Sequence, residues 1–222
     1  MNFIIERLIY FLPGILIGLT VHEFCHAFAA YKLGDHTSRE MGRLTFNPIK
    51  HIDPIGLLFI IIAGFGWAKP VQFNPQNLSN VRRDKAIIAA AGPLSNLLLA
   101  IIFSGIIRLW FLLLSHLLSN GNFEFVYNIM YSGFMIGLLT MLQYIVMINL
   151  GLFVFNLIPI PPLDGSHIVF SGLNLSPETE YRIMKIGTPL LFIIIIVQSQ
   201  TNITILPIGN LVSLMMNFLM PF

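Results

Sequence analysis

Four stretches of the chain run with almost no polar interruption. Residues 8–31 hold His22, Glu23 and His26 as their only ionisable side chains of the imidazole or carboxylate type, and 86–107, 125–158 and 186–222 hold no charge at all. Each is near or above the roughly 20 residues that cross a hydrocarbon core as a helix, so each predicts a membrane span. Residues 52–66 are also apolar, but the run is short and lies between Lys50 and Lys69. A segment of that length with similar flanks is predicted to dip into the membrane and return, or to lie in its interface. Just before it, 42–47 alternates, with Leu44 and Phe46 on one face and Arg43, Thr45 and Asn47 on the other. Period two predicts a short strand. The tail from Thr201 contains Pro207 and Gly209 and predicts a short span or an interfacial helix. The pattern thus predicts an all-α polytopic membrane protein. Its bundle would have about four to six membrane segments, with a small β-hairpin or strand and a re-entrant segment near the cytosolic face. No internal repeat or long polar linker divides the chain, so 1–222 is expected to form a single integral membrane domain.

Composition agrees: 56% of residues are hydrophobic and 10% charged, against about 25% charged in an ordinary soluble domain. A net charge of +2 without a basic, aromatic-rich patch speaks against nucleic acid as a partner and leaves the lipid bilayer. The single cysteine, Cys25, allows no intramolecular disulfide and is expected to pack as a small apolar side chain. The first apolar stretch is longer than the core of a signal peptide and lacks a small-residue cleavage site, so it is expected to stay in the mature protein. The basic residues give an orientation. Lys32, Arg39, Arg43, Lys50, Lys69, Arg82, Arg83 and Lys85 lie between the first two spans, Arg182 and Lys185 follow the third, and 109–181 has neither Lys nor Arg. The positive-inside rule places 32–85 and 159–185 in the cytosol. The loop at Asn120 and the N-terminus fall outside, with Arg7 weighing mildly against the latter. A multi-pass protein of a bacterial or archaeal cell membrane, its site towards the cytosol, is the expectation.

The chemistry concentrates in His22–Glu23–Phe24–Cys25–His26. At about 100° per residue, two histidines four apart share a helix face, where both imidazoles can bind one zinc while the adjacent glutamate acts on a water. Ionisable groups inside an apolar span cost about 2.5–3.5 kcal/mol each on insertion scales, which favours a functional reason for them over a merely structural polar cluster. Catalytic zinc takes three protein ligands and one open position. Ala29 and Lys32 stand where a metzincin would have its glycine and third histidine, which excludes that class. His36, Glu40 and His51 are candidates by proximity in sequence, all in a basic stretch expected to be exposed. Asp164 fits better, since it follows an uncharged span and the helix-breaking run Pro159–Ile160–Pro161–Pro162 and precedes Gly165. His26 is six residues before Lys32, or about 9 Å inside the cytosolic end of its helix, and Asp164 is at the cytosolic end of another span, at a similar depth.

Taken with Phe46–Asn47–Pro48, His51–Ile52–Asp53–Pro54, the glycine-rich 64–71 segment, Gly92–Pro93–Leu94–Ser95–Asn96 and the 156–165 run, this chain resembles the site-2 protease family of intramembrane zinc metalloproteases. The resemblance covers about residues 20–165 in the family's order. It implies zinc (Zn2+) held by His22, His26 and Asp164, Glu23 as catalytic base, and Asn156 stabilising the reacting carbonyl or holding a transmembrane protein substrate. Asn156 also admits a plain reading as an interhelical contact, and Asn96, after a Gly–Pro pair expected to break the helix, reads as structural. Neither a PDZ-like insert nor a regulatory domain is evident, which resembles a minimal member. A membrane zinc or cation carrier would instead be expected to show repeated halves and ligands spread along a path. An inactive membrane scaffold is a third reading, against which the intact Glu23 argues.

Overall fold

The computed structural model describes Ile5 and residues 7–63, 66–173, 175–201 and 203–220. Among them, four helices are long and apolar enough to cross a membrane, as the hydrophobic pattern predicts. A π-helical turn at Arg7–Phe11 leads into α1 (Leu12–Lys32), whose Pro13 sits in the first turn, where a missing N–H is harmless. The helix closes where Leu33 N–H bonds back to Ala29 O and Gly34 turns the chain at φ +103°. After a short α2 (Thr37–Glu40) and a 3-10 turn at Pro48–Lys50 comes α3 (Pro54–Ala63). Asp53 starts α3 by accepting hydrogen bonds from the N–H groups of Ile55 and Gly56.

The strand expected over 42–47 is not formed. Those residues are irregular, and the described residues contain only an isolated antiparallel bridge between Ile52 and Ala68. The alternation placed Arg43 on one face with Thr45 and Asn47, but Gly42 turns at φ +66° and Arg43 is buried. Its guanidinium donates to the carbonyls of Lys50 and Lys69. Lys69 N–H in turn donates to His51 O at 2.8 Å. The polar residue of the supposed period therefore fastens a loop.

The long α4 (Val81–Ser119) is capped by Asn80, whose side chain accepts from Arg83 N–H. It runs unbroken through Gly92–Pro93, contrary to the expected break; one lost N–H is absorbed within 39 residues of helix. A turn at Gly121 (φ +82°) reverses the chain where the Asn120 loop was expected. The uncharged 125–158 stretch is divided into α5 (Phe123–Met130) and α6 (Gly133–Asn156), because the Ser132 hydroxyl caps a new helix by accepting from Met135 N–H. Then follow α7 (Asp164–Gly172), α8 (Pro177–Gln200) and α9 (Ile208–Leu219).

Packing centres on α1, α4 and α6. Gly14 and Gly18 lie four apart on α1 and let α6 approach closely. A Cβ on Gly14 would stand 2.7 Å from Ile148 Cδ1, and one on Gly18 2.8 Å from Leu152 Cδ1. Small residues at this spacing admit a neighbouring helix in lipid. Ala100, Ile107, Val146, Leu150 and Val212 form the largest buried cluster, so the tail helix α9 returns onto α4 and α6. Its 12 residues rise about 18 Å, less than a span. The α8 helix is held at Lys85–Glu180 (3.7 Å) and where Gly187 meets the Pro161 ring.

Candidate metal centre and active site

Residues 140 apart in sequence converge on one point. On α1, His22 and His26 present their Nε2 atoms to each other at 2.9 Å. Asp164 Oδ2 reaches both, at 3.2 Å from His22 Nε2 and 3.4 Å from His26 Nε2. Asp164 arrives there because α6 ends at Asn156, the proline run turns the chain, and α7 begins with the aspartate itself. Gly165 makes the turn possible, since a Cβ on it would stand 2.6 Å from Ile158 O and collide with the Leu157 backbone.

The other side of each imidazole is fixed. His26 Nδ1 is 2.7 Å from Ile88 O, and His22 Nδ1 is 2.7 Å from Asn96 Oδ1. A carbonyl only accepts, so both Nδ1 atoms carry a proton, and in the neutral imidazole each Nε2 then turns its lone pair inwards. The facing Asp164 Oδ2 is buried with no hydrogen-bond donor. Three lone-pair atoms crowded together out of water repel one another unless a cation lies between them. A tetrahedral zinc with ligands at about 2.0–2.2 Å has edges of roughly 3.3–3.6 Å between ligand atoms, close to the 3.2 and 3.4 Å separations to Asp164, while the two histidines, at 2.9 Å, stand tighter. The donor set therefore suits zinc, and it is the one group of three metal-type side chains found among the described residues. Gly92 of α4 lies against both rings, and a Cβ there would stand 2.6 Å from His22 Cε1.

Glu23 is buried beside this cluster and accepts a 2.9 Å hydrogen bond from Val71 N–H through Oε2. The cluster, Glu23, Asn156 and His167 line a common cavity of about 470 Å³, together with Trp67 and Val71. One amide N–H of Asn156 is engaged by Leu152 O at 3.0 Å; an amide carries a second. The loop candidates stay apart from the cluster. His36 is exposed and meets Tyr31 edge-on, and Glu40 is exposed. His51 is buried but engages Thr45 O, and burial, with the Arg43 charge adding to it, holds its imidazole below the ordinary value. Cys25 is a free, half-buried thiol.

The sequence pattern did not single out Asn149, which bonds Asn96, nor the Val71 and Ile88 backbone groups, nor His167. Asn149 had a visible signal, a carboxamide in an uncharged span. The backbone contacts depend on how neighbouring elements register and leave no mark in side-chain type. Gly64 and Phe65 of the glycine-rich motif lie outside the described residues.

With this geometry in view, the profile of peptidase family M50 matches residues 10–197. The chain belongs to peptidase family M50. This is the site-2 protease class that its motifs resemble, so the zinc metalloprotease expected from the sequence stands at the level of family and enzyme class. Among curated M50-like relatives, YwhC of Bacillus subtilis is 40% identical over 161 residues, covering 72% of this chain and 67% of its own. Rip2 of Mycolicibacterium smegmatis is 33% identical over 174 residues, covering 76% of this chain and 58% of its own. Both are provisionally named as zinc metalloproteases. RasP of Shouchella clausii, named a zinc metalloprotease, is 32% identical over 85 residues, 36% of this chain and 20% of its own. No solved structure matches the chain closely enough to count as a relative.

Proposed function

We propose that this M50 chain cleaves peptide bonds of transmembrane proteins near the cytosolic face of the membrane, with zinc held by His22, His26 and Asp164. The observation that carries this reading is the convergence of three ligand atoms beside Glu23, in a cavity lined by residues of the spanning helices. Zinc bound there supplies the Lewis acidity that peptide hydrolysis requires. Glu23 takes a proton from the attacking water and returns one to the leaving amine nitrogen, which leaves a carboxylate and an amine as products. The Val71 N–H on its Oε2 keeps one oxygen oriented and leaves the other for the proton. Asn156 lines the same cavity, which supports its second amide N–H as the donor to the developing oxyanion.

The excess of basic residues over 32–85 supports the cytosolic placement. The Ile52–Ala68 bridge and the Lys69–His51 bond bring the two ends of the α3 segment together, which supports an excursion into the membrane that returns where it entered. The test is zinc content together with cleavage of a panel of single-span substrates in liposomes. About one zinc per chain is expected in the wild type and in Glu23→Gln, with cleavage reduced in the variant by about 10²–10⁴-fold. Zinc retained with no cleavage by either protein across the panel, or zinc moved across the vesicle wall, would overturn the protease reading in favour of a scaffold or carrier.

A further inference from the structure

Beneath the metal cluster lies a hydrogen-bonded line of carboxamides that the peptidase chemistry described above does not use. Asn96 on α4 and Asn149 on α6 are both fully buried. Asn96 Oδ1 accepts from His22 Nδ1, and its Nδ2 donates to Gly18 O (3.1 Å) and to Asn149 Oδ1 (2.9 Å). Asn149 Nδ2 donates to Ile145 O at 2.8 Å. The backbone carbonyls at Gly18 and Ile145 only accept, so both amides have a single consistent orientation and every donor points away from His22.

We propose that Asn149 is a positioning residue for the metal centre, acting through Asn96 on His22. This rests on the zinc-site reading above. An amide that turned over would offer Nδ2 to His22, place the ring proton on Nε2 and block the ligand atom. Asn149 opposes this by giving the Asn96 nitrogen a second acceptor beside Gly18 O. The line also aligns amide dipoles towards the imidazole, and hydrogen bonds in series strengthen one another in a water-free interior. Groups that orient a metal-binding histidine in this way typically change metal affinity about 10–100-fold when removed. The packing is built around the contact: a Cβ on Gly18 would come within 3.0 Å of Asn149 Oδ1, so glycine at that position lets the amide approach α1. A polar residue needed only to join α6 to α4 would have no reason to share its acceptor with the partner of a metal ligand.

The experiment measures zinc affinity by chelator competition on the full chain in detergent, with the absorption spectrum of the Co2+-loaded protein as a second readout. Asn96→Leu is expected to weaken zinc about 10–100-fold, and Asn149→Leu roughly tenfold. Asn149→Asp in its neutral acid form keeps an acceptor for Asn96 and an O–H donor for Ile145 O, and should stay closer to wild type than Asn149→Leu. In an Asn96→Leu background, Asn149→Leu should add nothing further. The cobalt spectrum should change in both single leucine variants as the His22 ring is released. Asn149→Ala is measured alongside, so that misfolding of the leucine variant leaves the comparison in place. Unchanged zinc affinity and cobalt spectrum with lowered thermal stability would show a packing role only, and fully additive effects would show that Asn149 does not act through Asn96. Either result overturns the proposal. Wild-type protein that takes up neither metal would instead overturn the zinc-site reading beneath it.

Discussion

At the scale of single residues, Gly92 leaves the site least room. A Cβ on it would lie 2.6 Å from Cε1 of both His22 and His26. Neither ring can retreat without breaking its Nδ1 bond to Asn96 or Ile88. Alanine is also a better helix former than glycine by up to about 1 kcal/mol, so Gly92→Ala should hold the helix while displacing the ligands. Zinc affinity is expected to fall at least tenfold, an effect on the scale of losing a group that orients a metal ligand. The melting temperature in excess chelator should also fall, because a displaced ring gives up its buried Nδ1 bond at a cost of about 1–3 kcal/mol, more than the gain in helix propensity. Calorimetry with and without chelator checks both halves. The cluster proposed to hold the metal was legible in the sequence, because ionisable side chains in apolar surroundings are costly enough to stand out and histidines four apart must share a helix face. The reason for Gly92 was not legible, although the residue was part of a visible motif. That reason lies in the register of α4 against α1, and one sequence carries no measure of distance between two helices.

At the scale of elements, long uncharged runs gave the spanning helices, and the errors fell where one local interaction outweighed a pattern. Ser132 splits one run by capping a new helix, and after the turn at Gly42 the buried Arg43 is the clamp that joins 43–51 to Lys69. The Gly14–Gly18 spacing that seats α6 on α1 was present in the sequence as a small-residue pair, but only packing shows what it admits. The clamp makes a prediction of its own through His51. Burial holds this imidazole below its ordinary value of 6.5, its bond to Thr45 O works weakly the other way, and its Nδ1 has no hydrogen-bond partner. A histidine whose pKa is depressed in the folded state takes up a proton more readily when the loop opens. The stabilisation is thus present above about pH 6.5 and declines as the pH falls below it. Hydrogen exchange at the Lys69 amide, which bonds His51 O, should report this local opening. After correction for intrinsic rates it should accelerate from about pH 7 to pH 5.5 in the wild type. In His51→Gln the rate should be nearly independent of pH over that range, and an unchanged acceleration would remove His51 as its source.

At the scale of the whole molecule, three helices agree on the depth of the site. His26 is six residues from Lys32 on α1, and Gly92 is seven residues from Lys85 on α4, so both lie about 9–11 Å from a basic helix end. Asp164 joins them just beyond the end of α6. The α4 helix gives the scale of the opposite side. Its 39 residues rise about 58 Å, nearly twice a hydrocarbon core of about 30 Å, and its uncharged stretch ends before Arg108. The Asn120 turn therefore lies at the end of α4 away from the site. The charge pattern supports the proposed cytosolic orientation, because 32–85 holds eight basic residues and 109–181 holds none. Cys25→Ala would free the chain of thiols, allowing single reporters at two exposed positions, Glu40→Cys and Asn122→Cys. In intact cells a membrane-impermeant maleimide should label Asn122→Cys and spare Glu40→Cys, which should react only after permeabilisation. The reverse pattern would place the metal centre towards the outside and overturn the cytosolic assignment while leaving the chemistry of the site untouched. Labelling of both in intact cells would mean that the segment between α1 and α4 crosses the membrane completely, which its ends, fastened to each other at Ile52–Ala68 and His51–Lys69, argue against.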